Sequence, residues 1–172
     1  MTPTPHGTIH SEIRQGRPFR SNAQEATIAL LRTASVVGRA IGRVVEPWGL
    51  SLAQYNALRI IRGAGAGGIP TLAIRERMIE EGTTITRLLD KLEGAGLIQR
   101  ERSMPDRRQV MCHATTKGVR LLGEMDPVVD AADEEVVAAL GTRQLDQLID
   151  LLDRIRASNA ERGAPRTMTR PD

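Results

Sequence analysis

Apolar positions along this chain fall into long helical patterns near both ends and short ones in the middle. From an N-cap at Ser21 or Asn22, Ile28, Leu31, Val37, Ile41 and Val44 keep close to a 3.6-residue period. The period breaks at Ser35, and Pro47 is expected to end the helix. Near the other end, Thr142 is the expected cap of a helix whose stripe is Leu145, Leu148, Ile149, Leu152 and Ile155. A third long helix is expected from Thr116 or Lys117 to Leu140, kinked at Pro127, because an interior proline loses a hydrogen bond and clashes with the preceding turn. Residues 1–20 and 161–172 show no apolar period and read as flexible tails.

The middle, residues 51–115, is built from shorter pieces. Ser51 caps a helix to Ile61 or Arg62, with Leu52, Tyr55, Leu58 and Ile61 on one face. A turn with Gly63, Gly65, Gly67 and Gly68 follows, and Pro70 starts a short helix to Met78 or Ile79. Gly82 separates this from a helix opened by Thr83 or Thr84, with Ile85, Leu88, Leu89 and Leu92 as its stripe and Gly94 and Gly96 at its end. A strand over 97–102, a turn over 103–108 and a strand over 109–114 then form a hairpin. Val110 and Cys112 face one side of it, Met111 and His113 the other. Three short helices followed by a hairpin with a basic tip is the order of a winged helix-turn-helix. The expected fold class is mainly α (α+β), with long helices flanking that region.

Charge sharpens this picture. The 172 residues carry 24 Lys and Arg against 21 Asp and Glu, net +3. Residues 51–115 hold ten basic and seven acidic groups, whereas residues 116–160 hold five and nine, so an anionic partner would meet the middle. Phe19, Trp48 and Tyr55 are the only aromatic rings of their kind, too few for a platform that stacks single-stranded nucleic acid. One cysteine, Cys112, excludes an internal disulfide framework. With His113 the only histidine beyond the N-terminal stretch, neither a metal centre nor a nucleophile–base grouping is expected, and so neither an enzyme nor a cofactor. No secretory leader or membrane span is expected, and a cytoplasmic protein follows. Gly63 to Gly68 matches a dinucleotide fingerprint in letters, but the preceding segment reads as helix where that motif needs a strand.

The helix over 83–95 carries the candidate chemistry. With its apolar stripe inward, it turns Thr83, Thr84, Thr86, Arg87, Asp90 and Lys91 outward. Short hydroxyls at a helix start, with an arginine one turn on, suit a DNA major groove. The backbone N–H groups there can take a phosphate, threonine can bond or pack on base edges, and arginine can bind guanine through two hydrogen bonds. At the hairpin tip, Arg107 and Arg108 suit the negative potential of a narrow minor groove, with Asp106 placed to steady one of them. A plainly solvated helix face and an ordinary charged turn are the alternatives for each feature alone.

Residues 82–118 resemble the core of the MarR family of bacterial winged-helix transcriptional regulators. The resemblance rests on Thr86-Arg87-Leu88-Leu89-Asp90-Lys91-Leu92-Glu93, Gly96-Leu97, Asp106-Arg107-Arg108 and the Thr115-Thr116-Lys117-Gly118 run before the next helix. It implies that Thr83, Thr84, Thr86, Arg87 and Lys91 face the major groove. It implies that Arg108 enters the minor groove, with Arg107 on phosphates and Asp106 orienting the wing. It implies that residues 21–48 and 116–160 form a homodimer interface, so that a two-fold dimer would read a pseudo-palindromic operator. The family further implies a repressor released by a small aromatic or phenolic anion. Trp48, Tyr55 and Arg59 are the expected pocket, with both rings as plain core the alternative. The competing function is a winged helix that binds a protein partner and has no operator of its own. Cys112, on a strand, is expected to act as a small buried hydrophobe rather than a redox sensor.

Overall fold

The structure, a computed structural model, describes residues 9–79, 84–102 and 109–163. Its residues group into two compact units, Met1–Ala132 and Asp133–Asp172. In the first unit, helix α1 (Ile9–Glu12) precedes α2 (Asn22–Val45). Ser21 caps α2 by accepting from the Gln24 amide, as its sequence position implies. The α-helix ends at Val45, and Pro47 lies in the 3-10 turn Glu46–Trp48 that closes on Gly49 at φ 72°. The stretch expected as a tail differs from Ile9 onward. Glu12 pairs with Arg32 of α2 at 2.7 Å, and His10 meets the edge of Phe19.

Helix α3 (Leu52–Gly63) opens on a full capping box, Ser51 with Gln54. It supplies the centre of the core with Tyr55, Ala57, Leu58 and Ile61. The glycine-rich turn is a 3-10 turn, Gly65–Gly67, and the segment before it is this helix, not a strand. Gly68 then adopts φ 66°, and a Cβ there would overlap the His113 ring, so only glycine fits.

A further element was not expected: Ile69–Pro70 form a short strand, β1. It is followed by α4 (Thr71–Arg77) and α5 (Ile85–Gly94). The hairpin strands are β2 (Ile98–Arg102) and β3 (Val110–Ala114), and the sheet order is β1-β3-β2, all antiparallel. Pro70, which cannot donate a ladder bond, sits at the sheet edge. In this register Ile98, Arg100 and Arg102 oppose Ala114, Cys112 and Val110, and Ile69 also opposes Cys112. Directly opposed residues share a sheet face, and the burial of Ile69, Ile98 and Cys112 makes this the inner one.

Helix α6 (Thr116–Val136) runs through Pro127 and ends four residues before the expected Leu140. Its first turn is fastened by Thr115. The Thr115 hydroxyl donates to the Gly96 carbonyl at 2.7 Å and accepts from the Gly118 amide at 3.1 Å, while the Thr115 amide donates to the Leu97 carbonyl. Gly118 lies so close to the Leu97 carbonyl that a Cβ would overlap it. Arg62 of α3 holds Asp126 of α6 through two hydrogen bonds, 2.7 and 3.0 Å, which push the guanidinium pKa up.

The second unit contains the last turn of α6 and helix α7 (Thr142–Gly163). Gly141, not Thr142, precedes the first turn: its carbonyl accepts from Gln144 and Leu145, and its amide donates to the Gln144 side chain. The remaining residues of the expected C-terminal tail lie outside the described residues.

Candidate nucleic-acid interface

Helix α5 is placed by its apolar stripe. Leu88, Leu89 and Leu92 are buried against the core, with Ile85 half-buried beside them. Thr84, Thr86, Arg87, Asp90 and Lys91 are therefore exposed together on the opposite face, as the period implies. Thr84 lies just before the helix and makes no side-chain cap bond. Among the described residues, Arg87 and Lys91 pair with no acid. They line, with Ser51, Gln54 and Thr84, a shallow groove of about 240 Å³ against the start of α3. Thr83 at the helix start, and Asp106, Arg107 and Arg108 at the hairpin tip, lie outside the described residues.

The acid on this face has a partner that sequence reasoning missed. Arg100 of β2 donates to Asp90 at 2.7 Å and to Glu93 at 2.5 and 2.9 Å, and its backbone amide donates to Glu93 at 3.1 Å. These bonds raise the guanidinium pKa, and the hydrogen bond from Arg100 holds the Glu93 carboxyl below the usual carboxylate range. The signal was present in the alternation of β2. Ile98 is an inward position, so Arg100 is inward too, and an inward cation needs acids to meet it.

A larger cavity of about 600 Å³ lies between α4, α5 and the hairpin, walled by Pro70, Leu72, Ile85 and Leu89 with Arg75 and Arg100 at its edge. The expected pocket residues are elsewhere. Tyr55 is buried, Trp48 is half-buried in its 3-10 turn, and Arg59 is exposed with its guanidinium 5.5 Å from the Tyr55 ring centre. None of the three lines either cavity described here. Cys112 is fully buried beside Thr71, and burial pushes its thiol pKa up. Among the described residues no group of His, Cys, Asp and Glu is arranged to hold a metal, and no helix is long and apolar enough to cross a membrane.

Helices α3 to α5 followed by the β2–β3 hairpin define a winged helix-turn-helix protein. The MarR family model matches residues 50–110. A MarR transcription factor from Planctomyces limnophilus is 33% identical, with a TM-score of 0.61 over 79% of this chain and 98% of that one. The transcriptional regulator TtmR of Methylorubrum extorquens is 28% identical over 155 residues, 89% of this chain and 78% of its own length. A mutant MarR from E. coli, solved in complex with operator DNA, shares the fold at 22% identity and a TM-score of 0.68, over 74% of this chain and 90% of that one. The chain belongs to the MarR family, whose members are transcriptional regulators and not enzymes.

Proposed function

We propose that this protein binds duplex DNA as a homodimer, with α5 in the major groove, and acts as a repressor at a pseudo-palindromic operator. The observation that carries this reading is the outward face of α5. There Arg87 and Lys91 stand unpaired among the described residues, beside the hydroxyls of Thr84 and Thr86. Two donors of a guanidinium match guanine, and the neighbouring lysine matches a phosphate. The E. coli relative of the same fold was solved on operator DNA, which supports the same use of the fold here. By sequence position, Thr83 extends the face, Arg108 enters the minor groove, Arg107 takes a phosphate and Asp106 steadies the wing.

A homodimer is supported by apolar side chains left at the surface. Leu30, Leu31 and Val36 of α2 are exposed, as are Ile149, Leu151 and Ile155 of α7. Several large apolar side chains left exposed on the same helices favour surfaces that another chain covers. Release by a small aromatic or phenolic anion completes the reading. It is supported better by the apolar cavity lined by Leu72, Ile85 and Leu89 with Arg75 and Glu76 than by Trp48, Tyr55 and Arg59, since the Tyr55 ring is core.

Selection from random duplex DNA with the purified protein tests this. The expected product is an inverted repeat with half-sites about one helical turn apart. A folded dimer that enriches no sequence would overturn the reading in favour of a protein-binding winged helix.

A further inference from the structure

We propose that Arg100 is a positioning residue for DNA binding. It neutralises Asp90 in the middle of the reading face and draws that carboxylate toward the hairpin. The inference rests on the proposed use of α5 and explains how that face can carry an acid at all. At 100° per residue, the apolar stripe of Ile85, Leu88, Leu89 and Leu92 centres opposite a point between Arg87 and Asp90. Asp90 is thus as central to the outward face as Arg87, and its side chain is 54% exposed. An uncompensated carboxylate there would face the phosphates of any duplex that Arg87 and Lys91 hold, and like charges repel.

The structure supplies the compensation from another element. Arg100 reaches out from the inner face of β2, opposite Cys112, and its side chain is only 24% exposed. Glu93, one turn after Asp90, fixes Arg100 through its backbone amide, Nε and one Nη, and that same Nη also donates to Asp90. The division of labour is specific: Glu93 anchors the arginine, and the arginine shields Asp90. The same bonds tie α5 to the strand that leads into the wing.

The test is a double-mutant cycle on binding to a labelled random-sequence duplex at low salt, long enough for two half-sites, with thermal unfolding followed in parallel. Arg100→Met is expected to weaken binding about tenfold. Asp90→Asn is expected to raise binding less in the native background than in the Arg100→Met background, where it restores most of the loss. A general charge effect would give the same gain in both backgrounds, and a purely mechanical joint would give no rescue. Either result overturns the proposal, as does unchanged binding by Arg100→Met. If Arg100→Met fails to fold, Arg100→Lys replaces it, since one ammonium can stay with Glu93 and leave Asp90 bare. The same loss and rescue are then expected, and unfolding of both variants makes Arg100 a folding residue and overturns the proposal. No binding by the native protein overturns the reading of α5 and this inference together. Native binding that Arg87→Ala weakens, without coupling between Arg100 and Asp90, overturns this inference alone.

Discussion

In the proposed DNA-binding mode, two residues of α5 have separable roles at the scale of single side chains. There Arg87 would read a base edge and Lys91 would meet a phosphate. Arg87→Ala should therefore cost about 1–3 kcal/mol of operator binding and relax the preferred sequence. Lys91→Ala should weaken operator and random duplex alike and reduce the salt slope by about one. Binding isotherms at several salt concentrations, on both duplexes, distinguish the two. Two glycines of α6 make a second contrast. Gly118 has no room for a Cβ against the Leu97 carbonyl, whereas nothing lies near Gly123. Gly118→Ala should lower stability by about 3 kcal/mol, because the obstacle is backbone and cannot swing away. Gly123→Ala should raise it by up to about 1 kcal/mol, through helix propensity alone. Urea unfolding of the two variants should show opposite signs on one helix.

Among the elements, legibility in the sequence depended on how local the cause was. Helices α3 and α5 were readable because stripe and flanking signals lie within a dozen residues, as in Ser51 with Gln54 or Leu88 with Leu92. The hairpin was readable through alternation. Strand β1 was not, since Ile69 and Pro70 are a strand only by virtue of β3, some forty residues away. The same holds for α1, which is held by Arg32, twenty residues on from Glu12. Gly141 displaced Thr142 as the cap of α7 because Gln144 closes back on its amide. The outward face of α5 was legible, and the ion pair on Asp90 was not, because Arg100 reaches it from β2. That link also carries a pH dependence. Arg100 lowers the folded pKa of Glu93, so the pair stabilises the fold above the ordinary carboxylate range and is lost as pH falls through the lowered value. Glu93→Gln should flatten the acid limb of stability, measured by denaturant unfolding from neutral pH downward, and leave the neutral-to-alkaline side unchanged in shape.

For the whole molecule, the apolar residues left outside α2 and α7 bear on how the chain exists in solution. Leu31 is 67% exposed and Ile149 57%, values that a lone chain would carry at a cost in solubility. Sedimentation should find two chains per particle, with a melting temperature that rises with protein concentration. Leu31→Glu with Ile149→Glu should give single chains and a large loss of operator affinity, while each winged region keeps its fold by circular dichroism. One further property belongs to the molecule as a whole. Its single cysteine lies on β3, on the buried face of the sheet, and burial pushes its thiol pKa up. The outer surface is thus chemically silent toward maleimides. A cysteine introduced at Thr86 or beside the wing would be the sole point of attachment for a fluorophore or spin label, on an otherwise native background.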